Sequence, residues 1–116
     1  MLDADTTRSL AEIGFLGLSR GRTAEAARIF DALHAIRPAD EVGAIGRALC
    51  LMAQGKPDLA ASVLRDATQT PCVMAFACLA LARNGDRAAA AEIDAEIAEI
   101  APGSQAHEIA RAALAA

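Results

Sequence analysis

Between residues 24 and 36 the apolar side chains return every three or four positions. Ala26, Ile29, Phe30, Leu33 and Ile36 fall on one face, with Glu25, Arg28 and Asp31 off it. That period predicts an amphipathic helix. Runs of the same grain, broken by glycine or proline, predict seven helices at roughly 6–19, 24–36, 41–53, 58–68, 72–83, 87–100 and 105–115. Two of them differ in kind. The segment 41–53 carries Val42, Ala44, Ile45, Ala48, Leu49, Cys50, Leu51 and Met52. The segment 72–83 carries Cys72, Val73, Met74, Phe76, Cys78, Leu79 and Leu81. Both are apolar around nearly the whole circumference, and such a helix belongs in an interior. One layer of seven short helices is expected to leave this central pair partly uncovered, which calls for a partner.

The punctuation repeats. Gly21-Arg22-Thr23-Ala24-Glu25-Ala26-Ala27, Gly55-Lys56-Pro57-Asp58-Leu59-Ala60-Ala61 and Gly85-Asp86-Arg87-Ala88-Ala89-Ala90-Ala91 align, with their glycines 34 and then 30 residues apart. Pro38, Pro71 and Pro102 follow, one to a block. Each unit reads as helix, glycine turn, helix, proline-marked turn. Glycine suits the left-handed residue that closes a helix. Thr23 and Asp86 are read as caps of the helices that follow, Pro57 as a first-turn residue, and Asp40, Thr70 and Ser104 as further start signals.

This period, the glycine turn and the closing proline resemble the tetratricopeptide repeat, whose unit is about 34 residues. Leu10, Gly14, Ala26, Phe30 and Pro38 fall on that family's large, small, alanine, aromatic and proline positions. Ala48, Ala60 and Leu64 fit in a second unit. Met74, Cys78, Ala90 and Pro102 fit in a third, where Asp94 departs from the pattern by standing at an apolar position. The resemblance implies an all-α fold: a right-handed α-solenoid of three tetratricopeptide-like helical hairpins plus a C-terminal capping helix. Residues 1–116 would form a single domain, with units at about 7–40, 41–70 and 71–104 and the capping helix at 105–115. Ala106, Ile109, Ala110, Ala113 and Leu114 would cover the end of the stack.

In that family the first helix of each unit lines a concave face. The corresponding outward residues are Arg8, Ala11, Phe15 and Leu18, then Val42, Ile45, Leu49 and Met52, then Cys72, Ala75, Leu79 and Ala82, with Phe76 beside them. The resemblance therefore implies a partner-binding groove made of Phe15, Leu18, Val42, Ile45, Leu49, Met52, Phe76 and Leu79. An apolar trough suits an amphipathic helix of another protein. The capping helix folding over the trough is the other expectation. Arg8 and Arg83 flank the groove as solvated rim charges, so it is not the basic clamp that holds a C-terminal carboxylate.

Composition narrows the class. Eleven basic residues against fifteen acidic ones give a net charge of −4, which argues against nucleic acid. Alanine fills 31 positions, and apolar residues reach 54%, enough for a packed core. No apolar run approaches the ~18 residues of a membrane span. The start carries no basic and apolar leader, and Cys50, Cys72 and Cys78 read as reduced, buried thiols, so a cytoplasmic setting is expected. Ten arginines with one lysine fit a GC-rich bacterial genome.

Chemistry is not signalled. His34 and His107 have no ligand set around them, and Glu92, Asp94, Glu96 and Glu99 read as a solvated helix face. No phosphate loop or nucleophile–base pair appears. No catalytic residue, metal or cofactor is expected, and the chain is not read as an enzyme. Size, acidity, repeat number and apolar groove resemble the small chaperones of bacterial type III secretion. Those hold the needle subunit by an amphipathic helix, alongside a small co-chaperone. Masking such a helix would stop premature polymerisation. The alternative is a tetratricopeptide adaptor or self-associating scaffold, with a homodimer when the partner is absent.

Overall fold

Seven α-helices, joined by short turns, make up residues 3–115, the part of the chain that the computed structural model describes. They are α1 (Ala4–Ser19), α2 (Thr23–Ile36), α3 (Glu41–Ala53), α4 (Pro57–Asp66), α5 (Pro71–Arg83), α6 (Arg87–Ile100) and α7 (Gln105–Ala115). The described residues are all-helical.

The helix starts follow from capping chemistry. Asp3, Asp40, Thr70, Asp86 and Ser104 each accept a hydrogen bond from a backbone N–H in the first turn of the next helix. Thr23 does not cap α2. The cap residue is Arg22, without a side-chain bond, and Thr23 is the first helical residue. Pro57 and Pro71 open α4 and α5, where a missing N–H costs nothing. The fourth helix stops at Asp66, short of the expected 68. Ala67 is already extended, and the Gln69 amide donates to the carbonyls of Leu64, Arg65 and Ala67. Thr70, placed before Pro71, is extended as that position demands.

The three aligned glycines make one turn three times. Gly21, Gly55 and Gly85 have φ of 78°, 76° and 85°. The residue after each glycine donates back to Gly17, Leu51 or Leu81, and each glycine donates to Leu18, Met52 or Ala82. This paired closure satisfies two carbonyls that the helix end leaves open.

Packing follows a simple order. Each helix touches the next one, and among the odd helices α1 also touches α3, α3 touches α5 and α5 touches α7. The even helices other than neighbours along the chain do not meet. Three apolar clusters result. The first is built on Ala11, Ala26, Phe30, Leu33 and Cys50. The second centres on Ile45, Ala48, Leu64 and Val73. The third centres on Ala75, Cys78, Ala90, Ile97 and Ala110.

The shortage of cover over α3 and α5 is partial: Leu49, Leu51, Met74, Phe76, Leu79 and Leu81 stay half-buried while the rest of their apolar surface is enclosed. Each has four helical neighbours, α1, α2, α4 and α5 for one and α3, α4, α6 and α7 for the other. Small residues let those neighbours close in: Gly43, Ala44, Gly46 and Ala48 on α3, and Ala75, Ala77 and Ala80 on α5, are all buried. The strongly exposed large apolar side chains among the described residues lie on α1, α2, α4 and α6 instead.

Candidate protein-binding groove

The eight expected groove residues separate into three neighbourhoods. Phe15, Leu18 and Val42 lie at the first cluster. Phe15 is partly exposed and its ring stands 4.7 Å from that of Phe30, tilted by 54°. Leu18 and Val42 are half-buried against Phe30's cluster. Ile45 and Met52, each 8% exposed, are members of the central core and present almost nothing to a partner. Leu49 and Phe76 pack on that core half-buried, and Leu79 is shared between the second and third clusters. Leu49, Phe76 and Leu79 thus keep part of their apolar surface accessible, Leu79 at the seam of α5 and α7.

There, a cavity of about 500 Å³ opens between α5 and α7. Leu79 and Ala82 form one wall, Ile109, Ala112 and Ala113 the other, and Arg83 and Arg87 stand at the rim. The cavity exists because α7 docks through Ala106, Ala110 and Ala113, which are buried, and so leaves Ile109 and Ala112 along its edge. Their spacing of three places them beside that stripe, a signal available in the sequence. Arg87 donates to the Leu114 carbonyl, tying the start of α6 to the end of α7. Arg83 Nη1 lies 3.9 Å from Met52 Sδ. The site is apolar in its body and cationic at its rim.

The remaining reactive side chains are held in quiet settings. Burial pushes all three thiols above their ordinary range, with Asp31, Glu41 and Asp94 adding to it at Cys50, Cys72 and Cys78. For Cys78 the value is about 11. Its Sγ lies 3.3 Å from the Ala90 carbonyl and 3.7 Å from that of Ala110, so one thiol spans α5, α6 and α7. His107 Nδ1 accepts from the Gly103 N–H at 3.1 Å, and its Nε2 faces Asp94 Oδ1 at 3.9 Å. Asp94, the residue that departs from the repeat pattern, therefore faces the first turn of α7. No three His, Cys, Asp or Glu side chains among the described residues converge as metal ligands would. Among the described residues no helix is long and apolar enough to cross a membrane.

Comparisons with protein-family models, with curated proteins and with solved structures find no match.

Proposed function

We propose that the chain is a non-enzymatic protein-binding module that holds an amphipathic helix of a client. The observation that carries this reading is the apolar cavity between α5 and α7, with Leu79 in its wall and Leu49 and Phe76 half-buried on the adjoining central core. An apolar stripe on the client would lie along Leu79 and Ile109, and acidic residues at its edge would meet Arg83 and Arg87. Burying six to eight apolar side chains gives on the order of 10 kcal/mol gross. Lost translational and side-chain freedom removes much of it, leaving an affinity in the micromolar to nanomolar range.

The tetratricopeptide-like solenoid belongs to the same proposal. Its support is the contact order, in which successive odd helices touch while the even ones do not, and the threefold recurrence of one glycine closure. Three hairpins, α1–α2, α3–α4 and α5–α6, would then be closed by α7 as the cap. Within that architecture the chain fits a cytoplasmic chaperone for an export substrate that polymerises, such as a type III secretion needle subunit.

The test is to isolate the protein with whatever it holds in its own cell and to map the bound segment by hydrogen exchange. Ala112→Glu places a charge in the groove at an exposed position, outside the core. It should release the client, while Glu96→Ala on the outer face of α6 should not. A client that stays bound to Ala112→Glu, or that docks through an extended segment, refutes the groove.

A further inference from the structure

One carboxylate oxygen at the seam of α6 and α7 is out of place. Asp94 Oδ1 is buried and accepts no hydrogen bond. An oxygen of that kind, shut away from water without a donor, is costly. His107 Nε2 faces it at 3.9 Å, too far for a hydrogen bond. Both side chains are largely enclosed, His107 14% exposed and Asp94 24%. The other ring nitrogen is committed elsewhere. Nδ1 accepts from the Gly103 N–H at 3.1 Å, so it carries no proton, and the proton of the neutral ring is on Nε2.

We propose that His107 is a proton-operated latch on α7: with the ring neutral it closes the α6–α7 turn at Gly103, and with the ring protonated it releases Gly103 and binds Asp94. The second proton of an imidazolium goes to Nδ1. It then meets the Gly103 N–H donor to donor, and that bond breaks. Gly103 is exposed, with φ of 72°, so its N–H passes to water at little cost. The new charge faces Asp94, and closing the gap by about 1 Å brings Nε2 to the ~2.8 Å of a charge-assisted bond. The helix start stays in place while the ring moves, because the His107 N–H donates to Ser104 Oγ. Among the described residues no other carboxylate lies within ion-pair distance of the ring. Glu92, Glu96 and Glu99 on α6, and Glu108 and Arg111 beside the ring on α7, are exposed. From α5 the titratable group at this seam is the Cys78 thiol, which burial first and Asp94 second keep protonated. The latch gives α7 two unlike ties to α6. Arg87, charged at every pH, holds the Leu114 carbonyl at the last turn. His107 holds Asp94 at the first turn only when it carries the second proton. This inference goes beyond the client groove and is read on the protein alone.

Nuclear magnetic resonance of the isotope-labelled full chain tests it, from about pH 8 to about pH 5, the range in which histidine changes charge. At the upper end the His107 ring should show a bare Nδ1 and a protonated Nε2. As the ring takes its second proton the Gly103 amide should shift in step. Its protection from exchange should fall by about two- to tenfold, after correction for the intrinsic pH dependence, as the loss of one neutral hydrogen bond implies. A slowly exchanging Nε2–H signal should appear in acid and be absent from Asp94→Asn, which keeps the shape of the side chain without its charge. His107→Gln distinguishes this ring from that of His34 and should leave Gly103 indifferent to pH. Circular dichroism follows the folding of both variants. A neutral ring with its proton on Nδ1 overturns the proposal. So does a Gly103 amide that ignores the titration of the ring, or an acid Nε2–H signal that survives Asp94→Asn. The first two of these are read on the wild type and need no variant to fold.

Discussion

The ring of Phe30 fills the space that a side chain at Gly46 would need. A Cβ built there would lie 2.0 Å from Phe30 Cδ1, and Phe30 is fully buried with Gly14 on its other side. Two effects of Gly46→Ala compete. Alanine in a helix is favoured over glycine by about 1 kcal/mol. Overpacking a closed core costs about 1–3 kcal/mol or more. The ring has no free side to move toward, so the second effect wins, and Gly46→Ala should lower the urea midpoint. Gly17→Ala is the counterpart. Its nearest neighbours are 3.8 Å away, ordinary contact, so it should stabilise by about 0.5–1 kcal/mol. Equal signs for the two variants would contradict this packing.

Thr70 joins the starts of α3 and α5 through one hydroxyl. Its Oγ accepts from the Val73 N–H at 3.2 Å and its hydroxyl donates to the Glu41 carboxylate at the start of α3. Thr70→Ala should destabilise by about 1–2 kcal/mol, the usual cost of a lost cap plus a charge-assisted bond. Thr70→Ser should recover most of it in chemical denaturation. Loss of equal size in both variants would assign the effect to the methyl group instead.

Cys78 makes stability depend on pH at the alkaline end. Its folded value, about 11, stands above the ordinary thiol value of 9.0. Between those limits the unfolded thiol has lost its proton while the folded one keeps it. The unfolded state binds fewer protons there, so stability falls as pH rises from about 9 to about 11 and is undiminished below that window. A two-unit difference corresponds to on the order of 2–3 kcal/mol. Cys50 and Cys72 shift in the same direction. Urea unfolding at a series of pH values should show the decline, and Cys78→Ser should flatten it. An unchanged slope in that variant would place the titration elsewhere.

Local chemistry was legible along the chain. Glycine where a left-handed residue closes a helix marks the ends of α1, α3 and α5, and Asp, Ser or Thr where orphan N–H groups need an acceptor mark the starts of α3, α5, α6 and α7. The fourth helix ended early because Gln69, five residues beyond Leu64, competes for the last carbonyls. Spacing in the helical period gives no hint of that. Thr23 has the residue type of a cap, but a cap residue must itself stand just outside the helix, and Thr23 is already the first residue inside α2.

The candidate surfaces were legible only in part. Leu79, Phe76 and Leu49, which the repeat resemblance assigns to a groove, are half-buried on α3 and α5. Ile45 and Met52 carry the same character and ended in the core. The sequence by itself determined which stretches coil, where each stops, and that two central helices are apolar on every side. Only the tertiary structure decided how much of that apolar surface solvent meets. That amount depends on how near neighbouring axes come, and glycine and alanine on α3 and α5 bring them near enough to enclose part of each, while Leu49, Phe76 and Leu79 stay half-buried. What stays most open among the described residues lies on helices with two neighbours instead of four: Ile13 and Leu16 on α1, Ile36 on α2, Leu59 on α4 and Ile100 on α6.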